Sequence, residues 1–302
     1  DDLGDDTTDD DDDDNDDVDD DSTDDDLEDD DGADDDSTDD DDDGQDHLSS
    51  SQDWIQVAAG LNHACGLHQD GVVECWGESA LGLTSPPGTA FSQISSSCGV
   101  LPSAEIRCWG DEDPSPPQGS YVWVDSEPGY CAIDDIGQIH CWGDHEQLTD
   151  PPDGVFVQTD DGCGTSESGT IHCWLGTADV LTPPDGVFSY AAGARSWACG
   201  IRIDGTGICW GEWYGMAGQP LSGGPFTQVD AVYNNACWLL ADASVECNGG
   251  EDGAAGNIEA PLGASFDQIS LGLHFGCGVR TDGRIQCWGD NYGNDYGQMD
   301  PP

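Results

Sequence analysis

Fourteen cysteines carry the plainest chemistry in this chain of 302 residues, and they fall into seven pairs with a single spacing. Cys65 and Cys75, Cys98 and Cys108, Cys131 and Cys141, Cys163 and Cys173, Cys199 and Cys209, Cys237 and Cys247, and Cys277 and Cys287 are each ten positions apart. Thiols at this density either pair as disulfides or ligate zinc. A zinc site draws its four ligands from close pairs such as Cys-x2-Cys, which a uniform ten-residue spacing does not supply. The pattern predicts seven disulfides, each within its own repeat, and with them an oxidising compartment.

The other reactive side chains form no comparable constellation. His63, His68, His140, His145, His172 and His274 are scattered through different repeats and registers. His140 and His172 share a position just before the second cysteine, which marks them as half-exposed strand residues rather than a ligand or a base. Neither a Gly-x-Ser-x-Gly elbow nor a His-Glu-x-x-His pair occurs, and the cysteines are consumed. No catalytic residue and no cofactor are assigned, and the chain is not expected to be an enzyme.

An antiparallel hairpin explains the ten-residue spacing. With Cys65 opposite Cys75, Gly66 meets Glu74, Leu67 meets Val73, and Gln69-Asp70-Gly71 is left as the loop. The last residue of such a loop takes the left-handed conformation, which Gly adopts without penalty. Gly71, Gly137, Gly169, Gly205 and Gly283 all occupy it. Alternation places a second cross-strand pair on the face of each cysteine pair. These are Leu67/Val73, Val100/Ile106, Ile133/Ile139, Thr165/Ile171, Ile201/Gly207, Leu239/Val245 and Val279/Ile285, mostly aliphatic as a buried face requires.

Charge divides the chain. Residues 1–47 hold 30 Asp and one Glu with no basic residue, and the remainder holds 34 acidic residues against five Arg and no Lys, for a formal net charge of −60. So acidic a segment cannot bury enough apolar surface to offset its ordering entropy, so residues 1–53 are expected to be a disordered, low-complexity tail or stalk. Calcium or other cations are possible there, although the ligand spacing of an EF-hand loop is absent. The acidity excludes nucleic acid as a partner. No apolar run is long enough for a spanning helix, so a membrane enters only through an anchor upstream of Asp1, where an export signal is also expected.

From Trp54 onward seven repeats follow, opening near Trp54, Phe91, Tyr121, Phe156, Phe188, Phe226 and Phe266. Each has an aromatic opener, a short alternating strand, the cysteine hairpin, a variable loop and, in most, a Pro-Pro stop such as Pro86-Pro87. Repeats of about four short strands build either an open solenoid or a closed propeller. Open arrays need atypical polar caps at their ends. Here the first and last repeats are among the most regular, while the sixth carries Asn248 where the Trp after the second cysteine is expected. The ends therefore meet, and residues 54–302 are expected to form an all-β, seven-bladed β-propeller with the strand from Trp54 beside the segment ending at Pro302.

The repeat pattern resembles a known family. Aromatic-x-Gln-Val/Ile, Gly-x-x-His, Cys-Gly-Leu, Asp-Gly-x-Val, Cys-Trp-Gly and Gly-Gln are similar to the repeat of the regulator of chromosome condensation family in its short, cysteine-bearing bacterial form. The stretch Leu273-His274-Phe275-Gly276-Cys277-Gly278-Val279 through Cys287-Trp288-Gly289 is the fullest match. The resemblance implies the propeller fold and says less about function. Eukaryotic members acting on chromatin and a nuclear GTPase are basic and nuclear, which this acidic, cysteine-rich chain is not. In blade number the chain is also similar to secreted bacterial propeller inhibitors of β-lactamases. The family's Trp-Gly-x-Asn loop accounts for Gly289-Asp290-Asn291-Tyr292-Gly293, which otherwise reads as a calcium loop; the metal assignment stays unknown.

What remains is a binding surface. The loops from first to second strand and those after the third share one face of the disc, and in the fifth to seventh repeats they gather Arg195, Trp197, Trp213, Tyr214, Tyr233, His274, Phe275, Tyr292 and Tyr296. Aromatics and Arg dominate binding hot spots. Trp197 and Trp213 fall outside the recurrent Trp position and are expected to be the exposed ones. The function expected is an extracytoplasmic, non-enzymatic binding or structural protein, displayed at a bacterial surface or secreted, that meets a protein or glycan ligand or itself. The alternative is a secreted inhibitor that covers an enzyme with its loop face.

Overall fold

Each repeat becomes an antiparallel sheet of three strands in chain order, here called inner, middle and outer. The computed structural model describes residues 47–110, 115–126, 129–143, 151–174, 182–194, 196–212, 221–249, 258–289 and 295–302. The acidic tail up to residue 46 lies outside the described residues. The inner strands are Trp54–Ala59, Gln93–Ile94, Tyr121–Asp125, Phe156–Asp160, Phe188–Ala194, Phe226–Val232 and Phe266–Leu271. The middle strands are His63–His68, Cys98–Val100, Tyr130–Asp134, Cys163–Ser166, Trp197–Arg202, Asn235–Leu240 and Phe275–Arg280. The outer strands are Val73–Gly77, Ile106–Cys108, Ile139–Trp142, Ile171–Cys173, Gly207–Gly211, Val245–Gly249 and Ile285–Gly289.

The hairpin register is the one the spacing dictates. Cys65 opposes Cys75, with Gly66 against Glu74 and Leu67 against Val73, and the cysteines of the other six blades oppose each other likewise. All seven disulfides form across Cα–Cα distances of 3.9–4.1 Å. The five expected turn glycines have φ between +79° and +90°. Where the turn Gly is missing, Ala104 and Ala243 take the left-handed position at φ 67° and 70°, a conformation that costs an L-residue about 1–2 kcal/mol.

Seven buried clusters hold the sheets together, one at each interface between neighbours. In each, the cysteine face of one blade packs on the aromatic opener of the next: Cys65, Leu67 and Val73 on Phe91 and Trp109, Cys98, Val100 and Ile106 on Tyr121, Cys131, Ile133 and Ile139 on Phe156 and Trp174, and so on around the ring. In five blades the opener also meets the Trp after the second cysteine of its own blade, as in Phe91–Trp109 at 5.7 Å and Phe266–Trp288 at 5.3 Å; in the third blade Trp142 stacks on Tyr130 instead. The sixth blade, with Asn248 in place of that Trp, fills the space differently. Trp238 of its middle strand lies 5.0 Å from the Phe226 ring and is fully buried. A Cβ on Gly207 of the fifth blade would come within 2.8 Å of the Trp238 ring, so the one Gly in the expected aliphatic pairs makes room for the displaced indole.

The ring closes as expected and by one further device. The seventh-blade face of Cys277, Val279 and Ile285 packs on Trp54, Val57 and Trp76 of the first blade, together with Met299. Trp76 Nε1 donates to the Gln298 carbonyl at 2.9 Å, and the Ser50 amide donates to the Pro302 carbonyl at 3.1 Å. In addition, a short strand, His47–Leu48, pairs antiparallel with Gln286 and Cys287 and becomes the fourth strand of the seventh sheet. The folded body thus starts before Trp54, inside the stretch that composition assigns to the tail. Two residues of strand carry too little periodicity to stand out beside an Asp run.

Candidate functional site

The inner strands converge on the ring axis, and their sequence decides what is presented there. Five carry Gln two positions after the opener: Gln56, Gln93, Gln158, Gln228 and Gln268. Each amide clamps the backbone of the next inner strand. Gln56 donates to the Ile94 carbonyl at 2.7 Å and accepts from the Ile94 amide at 3.0 Å. Gln93 holds Val124, Gln158 holds Ala191 and Gln228 holds Ile269 in the same way. Gln268 reaches Val57 at 2.8 and 2.9 Å and so joins the last blade to the first. Aromatics interrupt this belt at two places. Trp123 gives its Nε1 to the Thr159 carbonyl at 3.2 Å, and the Tyr190 side chain hydrogen-bonds Gln228.

Two positions further along each inner strand lie Ala58, Ser95, Asp125, Asp160, Ala192, Asp230 and Ser270. Side chains here cap backbone amides of the following blade: Ser270 Oγ accepts from Ala59 at 3.0 Å, Asp230 from Leu271 at 2.9 Å, and Asp125 from Asp161 at 3.0 Å. Asp161 sits in the turn that follows, in left-handed conformation with φ 44°. Asp125, Asp160 and Asp161 bring a carboxylate oxygen each to within 4.8 Å of the others. Together with Tyr190, Asp230 and Thr159 they line an axial cavity of about 110 Å³, and among the described residues none that lines it is basic.

This arrangement is electrostatically costly. Burial, then the carboxylates of Asp230 and Asp125, push the Asp160 pKa well above the usual carboxylate value. Burial also raises Asp230 to about 6, against the opposing hydrogen bonds of Leu271, Ala231 and Ser270. Tyr190 is raised by burial and then by Asp160 and Asp230. Because Asp230 has a folded-state pKa above its unfolded value of 3.8, its protonation favours the fold; that contribution is complete below 3.8 and lost as pH rises through about 6. His63, buried against the Ser96 carbonyl at 3.0 Å with its pKa lowered by desolvation, works in the other direction and disfavours the fold as pH falls below 6.5. Asp230→Asn removes the first effect together with the repulsion that Asp230 exerts on Asp160, and keeps an oxygen for Leu271. The variant is expected to raise the melting temperature by several degrees at about pH 7.5 and by little at about pH 4, measured by scanning fluorimetry in EDTA. An equal shift at both pH values would show that the charge of Asp230 is not what matters.

The axial carboxylates are the residues that sequence reasoning missed. Counted from the cysteines Asp125, Asp160 and Asp230 fall at different positions, whereas each stands four residues after its aromatic opener. Of the expected binding residues, Tyr233 and Tyr296 are exposed and His274 is half-buried. Trp197 and Phe275 are not on the surface at all, each 1 % exposed. Trp197 opens a middle strand, and its ring turns into the cluster formed with Ala231 and Trp238 of the sixth blade, so the expectation of an exposed indole is corrected. Arg195, Trp213, Tyr214 and Tyr292 lie outside the described residues.

The described histidines build no catalytic relay. His68 stacks on Trp54 at 3.6 Å and bonds Asp53 through Nδ1 at 2.9 Å. Ser51 bonds the same Asp53 oxygen rather than the imidazole. His140 is half-exposed and bonds Asp134 at 2.9 Å.

Comparison with known proteins agrees with this architecture. The regulator of chromosome condensation (RCC1) repeat matches residues 54–82 and 266–298, the first and last blades. No curated protein matches the chain. The CRINKLY WD40 ectodomain of the Arabidopsis thaliana receptor kinase ACR4 superposes with a TM-score of 0.65 at 23 % identity, covering 80 % of this chain and 98 % of that one. The ectodomain of the Physcomitrella patens receptor kinase CR4 gives 0.65 at 21 %, covering 78 % and 74 %. Yeast RCC1 (Prp20), in its complex with Kap60, gives 0.50 at 14 %, covering 82 % and 74 %. At these identities the structures show a common fold. With seven sheets and one disulfide in each, the chain is a seven-bladed β-propeller whose first and last blades match the RCC1 repeat.

Proposed function

We propose that the chain is an extracellular, non-enzymatic binding propeller that engages a protein partner through the face bearing its inner-to-middle loops. The observation that carries this reading is Tyr233. It stands at a loop tip, 40 % exposed, in a left-handed conformation with φ 51° that a bulky residue adopts only when its surroundings impose it. Its carbonyl accepts the Nε1–H of the buried Trp197. An exposed aromatic fastened to the core loses little freedom on binding, which is what a hot-spot residue needs.

Seven disulfides suit an oxidising compartment, and the two plant structures that share the fold are receptor-kinase ectodomains. In this reading residues 1–46 are the stalk that holds the propeller away from its attachment. The double variant Tyr233→Ala/Tyr296→Ala tests the face. Immobilised wild type is expected to retain one protein from the native extracellular fraction, identified by mass spectrometry, and the variant to retain at least tenfold less at an unchanged melting temperature. Equal recovery would remove this face from consideration. Retention only of glycans, or a concentration-dependent oligomer in light scattering, would replace the protein partner by a sugar or a second copy.

A further inference from the structure

We propose that the hairpin-turn face of the third to fifth blades, opposite the face that bears Tyr233, is a second docking surface, and that its occupant is a protein segment interleaving aliphatic with basic side chains. Six aliphatic residues stand exposed there: Val122, Ile136, Val155, Val157, Val187 and Ile203. Single exposed aliphatics are ordinary on a protein surface, but these form a connected row. Val155 lies against the third-blade turn, where a Cβ on Gly137 would come within 2.6 Å of it, and its carbonyl accepts the Glu167 amide of the fourth-blade turn at 2.8 Å. Val187 repeats the arrangement one blade on, lying against Gly169 of the fourth blade and accepting the Ile203 amide of the fifth at 3.1 Å. Val157 follows Val155 across the buried Phe156, and Val122 is its counterpart in the third blade.

The sibling blades show that folding does not ask for these side chains. Before the turn Gly stand Asp70, Asp204 and Asp282 elsewhere, each accepting the amide two positions on; Ile136 takes that place and is 64 % exposed. Ile203, 71 % exposed, stands where the first, fourth and seventh blades carry Gln69, Glu167 and Thr281. Val155 and Val187 replace the Asp53, Ser120 and Ser265 that precede other openers. After the opener, Ser92, Ser189 and Thr227 turn their hydroxyls onto carbonyls of their own middle strands, a bond that Val122 and Val157 cannot make. Positions that break a local rule with no gain in packing point to function. Charge selects the occupant. Asp135, Asp153, Glu167, Asp185 and Asp204 are exposed along the row, and Arg202, the only basic residue in these segments, is held over the Phe188 ring at 5.3 Å. A second copy would bring the same carboxylates and the chain's own tail would bring 30 Asp, so both are repelled. An aliphatic segment bearing Lys or Arg is complementary in both respects. The proposal does not rest on the loop-face reading.

The probe is a synthetic peptide alternating Lys with Leu and carrying a diazirine, photo-cross-linked to the full chain with the sites mapped by mass spectrometry. Lys–Ser and Glu–Leu peptides are the controls. Mapping separates the row from the acidic tail, which takes up Lys whatever stands beside it. The Lys–Leu peptide is expected to label residues 134–138, 153–157, 185–189 and 201–204 saturably, and each control at least tenfold less. Ile136→Asp/Val155→Ser/Val187→Ser/Ile203→Thr installs residues that sibling blades carry, and should lose at least tenfold of that labelling at an unchanged melting temperature. Asp135→Asn/Asp185→Asn keeps the row and should weaken its labelling severalfold. Tyr233→Ala/Tyr296→Ala should be labelled there as the wild type is, which separates this face from the loop face. Labelling of the row that survives the fourfold substitution, equal labelling by the Glu–Leu peptide, or labelling confined to the tail would overturn the assignment. So would a dimer in light scattering, or binding to phosphatidylcholine vesicles, that the fourfold variant abolishes, since either would give the row to a second copy or to lipid.

Discussion

Reduction of the disulfides is expected to abolish the cooperative thermal transition of the propeller, or to lower its midpoint by more than about 20 °C. Each bridge spans a sequence separation of 10, and closing so short a loop restricts the unfolded chain by about 2–3 kcal/mol. Seven such terms together exceed the roughly 5–15 kcal/mol by which an ordinary domain is stable, even after a discount for structure retained in the reduced hairpins. The measurement is calorimetry with and without a phosphine reductant, paired with mass spectrometry of alkylated peptides. The order of reduction is a second readout. Cys75, Cys141, Cys173 and Cys247 are partly accessible, whereas both sulfurs of Cys199–Cys209 are fully buried. Cys199–Cys209 is therefore expected to be among the last bridges reduced below the unfolding temperature. A reduced protein melting at the oxidised temperature would mean that the blades are held by their interfaces alone.

Trp197→Ala is expected to cost about 3–5 kcal/mol, the range for removing a large aromatic from a packed core. For a body of this size that is a fall of roughly 6–20 °C in melting temperature. The side chain is 1 % exposed and sits between the fifth and sixth blades, and its loss also frees the Tyr233 carbonyl that its Nε1 holds. Thermal melts of Trp197→Ala beside Tyr233→Ala separate the two residues: the first should be destabilised strongly, the second within about 1 kcal/mol. An unchanged melt for Trp197→Ala would return that indole to the surface. With the expected result, any loss of partner binding by this variant reports on folding, whereas Tyr233 and Tyr296, exposed among the described residues, remain direct probes of the face.

The two tryptophans show where sequence reasoning reaches and where it stops. Trp197 is expected from the sequence to be exposed because it falls outside the recurrent Trp position after the second cysteine. Trp197 and Trp238 are instead off-pattern and buried, Trp238 because Asn248 and Gly207 leave a hole that neither reveals alone. The cysteine register, the turn glycines and the aliphatic pairs were legible, since each depends on residues no more than ten positions apart and on the two-residue alternation of a strand. Seven near-identical units with regular ends likewise implied closure, and the Gln268–Val57 clamp and the Trp54 cluster realise it.

The chain's local chemistry thus determined the hairpin, its disulfide, the repeat count and the ring. Tertiary structure alone decided which side chains meet at the axis. Asp125, Asp160 and Asp230 come from three different blades and face one cavity only because the ring is closed. The His47–Leu48 strand is a strand only because Cys287 and Gln286 of the last blade offer it an open edge. Periodicity reports which face of a strand is buried, but the neighbours of that face are set by closing the ring over some 250 residues, a distance at which no local pattern in the sequence carries information.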